Sequence, residues 1–216
     1  MPAGPFHNLV WNALHSEHAR FAVHSHGAVR YPADVVPYAA LADPNHADLS
    51  PLQELLAPGE QVYLIGPQPT PTENLRVGSP LNCFQMVYSI RNDRRQGFLP
   101  TPPHISSMTP EDAPDMVALT DLAFPGFFRQ RTHQMGAYYG IRIQKELVAM
   151  AGERLAIPGY REISAVVTHP AHTGRGYATG LMNRLIQDHA AAGLKSFLHV
   201  SERNARAIAM WYLNRS

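Results

Sequence analysis

The stretch from Thr168 to Ala192 restricts the fold more than any other, because a strand, a glycine turn and a one-sided helix follow one another without a gap. His169-Pro170 ends an extended run, and Thr173-Gly174-Arg175-Gly176-Tyr177-Ala178 forms a tight connection. A helix from about Gly176 to Ala192 follows, with Ala178, Leu181, Met182, Leu185, Ile186 and His189 on one stripe and Gly193 as its C-cap. At such a junction the first backbone N–H groups lack helical partners and point outward at the positive end of the dipole, which suits an anion. The glycines let the main chain approach a phosphate, and Arg175 either adds a charge-assisted contact or stays solvated. Taken alone, the Gly-x-Gly spacing is equally well a tight loop. It is not a Walker A loop, since no Gly-Lys-Ser/Thr follows. It is not a Rossmann turn either, because the strands before it form a hairpin.

Upstream of the turn the pattern is regular. Arg161–Thr168 reads as a long strand after the Pro158-Gly159 turn, and Tyr138–Ile143 with Leu147–Leu155 as a hairpin closed by Gln144-Lys145-Glu146. Before these, Ile105–Met108 is a short strand. Thr109-Pro110-Glu111-Asp112 starts a helix with a hydroxyl N-cap, proline at the first position and acids near the positive end. This helix runs to about Ala123, Phe124-Pro125-Gly126 breaks it, and a second short helix covers Phe128 to His133. Ser196–Val200 adds a strand and Asn204–Leu213 a final helix, so the predicted order is β-α-α-β-β-β-α-β-α.

Pro100, Pro102 and Pro103 block both helix and central strand, which places a linker at residues 99–103 between an N-terminal unit, 1–98, and a second unit, 104–216. The first unit carries a helical pattern from Leu9 to Val23 and strands at Gln61–Ile65 and Phe84–Tyr88, with Gly66–Pro71 as an internal loop. His15 with His18, and His24 with His26, read as solvent-facing pairs rather than metal ligands, since no third ligand accompanies them; no metal is expected.

Composition narrows the function classes. Apolar residues are 45% of the 216 and charged residues 16%, enough for a core and too little charge for disorder. Net charge is +1 and no Lys/Arg run exceeds Arg94-Arg95, which disfavours a nucleic-acid partner. Cys83 is the single cysteine, so an intrachain disulfide is excluded and a reducing compartment fits. No apolar run reaches a membrane span, and Met1-Pro2-Ala3-Gly4-Pro5 does not open a secretory signal. The expected location is the cytoplasm.

The residues from about 104 onward resemble the GNAT superfamily of N-acetyltransferases, in particular its FR47-like branch, where an N-terminal region precedes the acetyltransferase half. The family's signature is Arg or Gln, two residues, Gly, one residue, then Gly or Ala. Gly176 and Ala178 match its last two positions and Thr173 stands at the first; Asn204-Ala205-Arg206-Ala207 is similar to the Asn-x-x-Ala of the family's last cofactor helix. The resemblance implies an α/β (α+β) fold with a mixed sheet, acetyl-CoA as cosubstrate and an amine as acceptor. It implies cofactor contacts from the Thr173, Gly174, Arg175, Gly176, Tyr177 and Ala178 turn, from Asn204, and from the backbone of a bulged strand at Val166, Val167 and Thr168. Glu162, four residues before Val166 and on its face in a regular strand, takes the general-base position, with Glu153 as second candidate and a salt bridge to Arg161 or Arg154 as the other reading. An alkyl amine needs such help, being uncharged in only about one molecule per thousand at pH 7. The tyrosine that protonates the leaving thiolate in the family is replaced by Trp211, so Tyr212 or water supplies the acid. Phe127, Phe128 and Tyr138 line an acceptor pocket or belong to the core.

The family's last two strands have no counterpart after Leu213-Asn214-Arg215-Ser216. The edge at Ser196–Val200 is therefore covered by the N-terminal unit, by another chain such as a second copy in a homodimer, or not at all. Thr173, Trp211 and this short sheet motivate a second reading, an impaired acyl-CoA-binding or protein-interaction module.

Overall fold

The structure, a computed structural model, describes residues 4–45, 48–88, 104–205 and 207–209. It divides into two compact units, one formed by the chain up to Leu81 together with Leu155–Pro158, the other by Asn82–Arg154 and the chain from Gly159 onward.

In the first unit, α1 (Leu9–Leu14) and a 3₁₀ turn (Ala19–Phe21) precede β1 (Val23–Ser25), β2 (Ala28–Arg30) and β3 (Tyr38–Leu41), then α2 (Ser50–Gln53) and β4 (Tyr63–Leu64). The sheet order is β1-β2-β3-β4, with β4 parallel to β3 and the other pairs antiparallel. The helix expected from Leu9 to Val23 stops at Leu14. His18 then turns inward rather than toward solvent: it is buried, with Nδ1 2.8 Å from the Tyr31 hydroxyl. His15 stays exposed and stacks on Trp11. Buried Arg30 is neutralised by the Glu60 carboxylate, and Ala28, Ala39, Leu41, Leu49 and Leu52 form the core.

The second unit holds β5 (Cys83–Val87), β6 (Ile105–Ser107), α3 (Ala113–Asp121), β7 (Tyr138–Ile143), β8 (Glu146–Ile157), β9 (Tyr160–Thr168), α4 (Tyr177–Ala191) and β10 (Lys195–Ser201). Thr109 opens the first helical stretch as expected: its N–H donates to Asp112 Oδ2 at 2.8 Å, and a 3₁₀ turn at Pro110–Asp112 runs into α3. The short helix expected at Phe128–His133 is a 3₁₀ turn at Thr132–Met135. The sheet order is β5-β10-β9-β8-β7-β6, with antiparallel pairing throughout except between β9 and β10 for the pairs whose register is defined.

Two expectations change here. The strand at Phe84–Tyr88, read as part of the N-terminal unit, is β5 of the second sheet, paired with β10 from Phe197↔Val87 to Ser201↔Cys83. The change of packing partner comes earlier than the expected linker, near Leu81; residues 99–103 lie outside the described residues. The β10 edge, for which cover by the N-terminal unit, by a second copy or by nothing was open, is filled by the same chain, through residues 83–87 that the sequence pattern put in the N-terminal unit. The backbone groups of β10 gain partners and Met86 enters the core beneath α4.

One face of this sheet packs under α4, where Tyr177, Leu181, Met182, Leu185 and Ile186 meet Ile163, Leu198 and Val200. The other packs under α3, where Met116 and Leu119 meet Tyr138, Leu147, Met150 and Val167.

Candidate active site

The two parallel strands in the middle of the sheet do not stay together. β9 and β10 pair from Tyr160↔Lys195 to Glu162↔Phe197, and beyond that point they part. Ala165 lies in the left-handed region at φ 50°. Around it the alternation of faces breaks: Ile163 and Val166 pack on the α4 side, Ala165 and Val167 on the α3 side. This is the pattern of a β-bulge, and past Glu162 β9 has no further ladder pair with β10. It also overturns the expectation that Glu162 and Val166 share a face, since Glu162 precedes the bulge and points away from Ile163's side.

β9 leads into the glycine turn. The His169 N–H donates to the Val148 carbonyl at 2.8 Å, a 3₁₀ turn covers Pro170–His172, and the Thr173 hydroxyl donates to the Pro170 carbonyl at 3.2 Å. Gly174 at φ 78° and Gly176 at φ 76° take left-handed conformations, and Gly176 is the N-cap of α4. Nothing stands within 4 Å of where a Cβ would be at either glycine, so backbone conformation, not crowding, calls for glycine there. The α4 ladder begins with Gly180 N–H to the Gly176 carbonyl at 3.0 Å, so the amides of Tyr177, Ala178 and Thr179 precede it. No acidic side chain occupies the first turn to neutralise them. Arg175 is exposed beside them, while Tyr177 is buried in the core and anchors the helix start.

At the fork, Glu162 is 0% exposed. Arg154 Nη2 donates to its Oε1 at 2.5 Å and Arg154 Nε to its Oε2 at 3.0 Å, while His199 Nδ1 lies 2.7 Å from Oε1. Burial by itself would raise its pKa; the Arg154 charge and the hydrogen bonds from His199 and Arg154 outweigh it and hold the carboxyl at about 2. Of the salt bridges expected from the sequence, the one to Arg154 is present. His199 Nε2 in turn lies 3.1 Å from Gln85 Oε1, on the strand paired directly opposite.

Glu153 is engaged on the opposite face. Its Oε1 is 2.9 Å from His189 Nε2, its Oε2 accepts from the Ala137 N–H at 3.2 Å, and His189 Nδ1 is 2.8 Å from the Ser196 hydroxyl. Burial pushes this carboxyl up, but the His189 and Ala137 hydrogen bonds prevail and lower it.

Phe128 and Tyr138 are core residues, packed edge to face at 5.5 Å, and Phe127 is half-buried. The Tyr138 hydroxyl is buried without a hydrogen-bond partner, and burial drives its pKa up. Asn204 starts a helical turn after β10: its Oδ1 accepts from the Ala207 N–H at 3.0 Å and its carbonyl from the Ile208 N–H at 3.0 Å. Trp211 and Tyr212 lie outside the described residues. His199 and Gln85 were not singled out in the sequence; the one available signal was a histidine interrupting the apolar strand Phe197-Leu198-His199-Val200. Among the described residues no three His, Cys, Asp or Glu side chains are grouped to hold a metal, and no helix is long and apolar enough to cross a membrane.

The model of the acetyltransferase (GNAT) family matches residues 92–213. The chain belongs to that family. A GNAT-family protein of known structure from Novosphingobium aromaticivorans is 31% identical, with a TM-score of 0.83 covering 97% of this chain and 92% of that one. The ribosomal-protein-S18-alanine N-acetyltransferase of Escherichia coli is 19% identical over 50% of this chain and 74% of its own, with a TM-score of 0.45. An N-acetyltransferase of Staphylococcus aureus is 18% identical over 52% of this chain and 81% of its own, with a TM-score of 0.46. No curated protein matches the chain. The protein is a GNAT acetyltransferase in which the strand beside β10, Cys83–Val87, lies before the residues that the family model matches, and the similarity to the Novosphingobium protein extends over both units.

Proposed function

We propose that this acetyltransferase transfers the acetyl group of acetyl-CoA to an amine by direct attack, working in the cytoplasm. The observation that carries the reading is the continuous path from the β9–β10 fork, along bulged β9, to the left-handed glycine turn at the N-terminus of α4. On this reading the amides of the Thr173–Ala178 turn receive the pyrophosphate, and Arg175 adds its charge. Thr173, bonded within the turn, leaves recognition to the backbone. The main-chain groups of Val166, Val167 and Thr168, past the last β9–β10 pair, bond the pantetheine arm as though it were another strand, and Asn204, which caps the helical turn after β10, adds a contact.

The amine nitrogen attacks the thioester carbonyl carbon, the C–N bond forms, the C–S bond breaks, and the CoA thiolate leaves. A strand amide stabilises the tetrahedral oxyanion. Glu162 supports removal of the amine proton at the fork, and Tyr212 or water protonates the thiolate. The presence of an N-terminal unit before the transferase half fits the FR47-like branch.

Titration calorimetry with acetyl-CoA, followed by mass spectrometry of amines incubated with enzyme and acetyl-CoA, tests the reading. Binding with a mass gain of one acetyl group on an amine is expected. Tight binding with no acetylated product from any amine would return the protein to the class of acyl-CoA-binding modules.

A further inference from the structure

We propose that His199, oriented by Glu162, is the side chain that takes the proton from the acceptor amine. The proposal rests on the amine-transfer reading and reassigns its proton acceptor. It starts from where the fork opens. Glu162↔Phe197 is the last pair between β9 and β10. Leu198 and Val200 turn into the α4-side core, so His199 is the first residue of β10 beyond the fork that faces the other side. An amine reaching a thioester held between the parted strands from that side meets His199 before Glu162.

Glu162 is chemically closed. Both of its oxygens are occupied by Arg154 and His199, it is fully buried, and its low pKa makes it a poor base. What it does well is hold an imidazole. A carboxylate only accepts, so Nδ1 of His199 keeps its hydrogen and the lone pair of the neutral ring is on Nε2. Nε2 faces Gln85, an exposed residue. A glutamine amide offers its carbonyl to a protonated ring nitrogen and, turned over, its N–H to a neutral one, so Gln85 serves both protonation states of His199 and can swing aside for an amine. When the nitrogen sheds its proton to Nε2, the imidazolium formed lies against the Glu162 carboxylate, and Arg154 keeps that carboxylate in place. Glu162 and Arg154 are thus positioning residues. Among the described residues, the charged and titratable groups around this face are Glu162 from β9, Arg154 from β8, Tyr138 from β7, Cys83 from β5 and Glu202 after β10; the Cys83 thiol feels Arg154, Glu162 and Glu202, and the Tyr138 hydroxyl feels Arg154 and Glu162.

The Glu153–His189 pair shows what the same pairing does without access. His189 is 2% exposed and its second nitrogen is closed by buried Ser196, so no amine can reach it.

The test uses the full chain, acetyl-CoA, and four amines: an alanine-initiated peptide, a lysine peptide blocked at its N-terminus, spermidine and glycinamide. With the amine that turns over, His199→Ala is expected to lower kcat by about 10²–10³-fold and to remove the acidic limb of the pH–rate profile, with acetyl-CoA affinity unchanged. Glu162→Gln should lower kcat less and shift the neutral His199 ring toward the Nε2–H tautomer in ¹⁵N spectra, while His189→Asn leaves the profile in place. His199→Gln and the wild-type ring spectrum provide readings that do not depend on the folding of His199→Ala. Wild-type kcat in a folded His199 variant, or an Nε2–H tautomer in the neutral wild-type ring, overturns the assignment. A wild-type enzyme that acetylates none of the amines instead refutes the amine-transfer reading, and the two failures are thereby distinct.

Discussion

Removing the charge of Glu162 should flatten the acid side of the stability curve. The group is fully buried, and its carboxyl falls from 4.5 to about 2 on folding, so the sign follows directly. A depressed folded-state pKa stabilises the protein above pH 4.5, and this contribution is lost as pH falls through about 2. At about 1.4 kcal/mol per pH unit the contribution is about 3 kcal/mol at neutral pH, declining to about 1 kcal/mol at pH 3. Glutamine keeps the shape and one acceptor but does not titrate. Other depressed carboxyls, among them Asp112, Asp188 and Glu153, titrate in both proteins and cancel in the difference. Urea unfolding of wild type and Glu162→Gln at a series of pH values should therefore show their stability difference shrinking by about 2 kcal/mol between pH 6 and pH 3. Parallel curves over that range would refute the argument, because they would mean that Arg154 and His199 do not hold the carboxylate ionised. The absolute offset at pH 7 is less informative, since glutamine also alters the hydrogen bonds to Arg154.

Gly176→Ala should cost about 1 kcal/mol in urea unfolding, from the left-handed φ alone, and weaken acetyl-CoA binding in calorimetry; unchanged values in both would separate the turn from the cofactor. Gly152→Ala places a Cβ inside the Tyr138 ring across the β7–β8 pair and should destabilise by roughly 1–3 kcal/mol, with Tyr138→Leu restoring part of the loss; an additive double mutant would show that the ring is not the obstacle. Met86→Ala should cost about 2 kcal/mol in the same unfolding transition that reports on α4, because β5 is part of that core; a loss confined to a separate transition would return β5 to the first unit.

The local signals in this chain were readable because their causes lie within a few residues. The stripe Leu181, Met182, Leu185, Ile186 and His189 is buried in α4, since helical spacing alone puts these residues on one side. The hairpin turn at Gln144 and Lys145 and the left-handed glycines at 174 and 176 are likewise set by local backbone chemistry. The same locality limits what could be read. His18 carries a polar side chain at an exposed-looking position, yet a hydroxyl from Tyr31 makes its burial favourable, and that partner is supplied by packing.

By itself, then, the sequence determined the order of strands from β6 to β10 with α3 and α4 between them, the glycine turn before α4 and the family to which these elements correspond. Only the tertiary structure decided that β5 closes the sheet, because residues 83–87 and 197–201 meet through a pairing that no local pattern encodes. It also decided what surrounds Glu162. A glutamate in a strand is compatible with a base, a surface ion pair or a buried anchor, and the choice depends on what converges on it from other strands. Arg154 and His199 do so here, from β8 and β10, and they turn the carboxylate into a fixed charge at the fork.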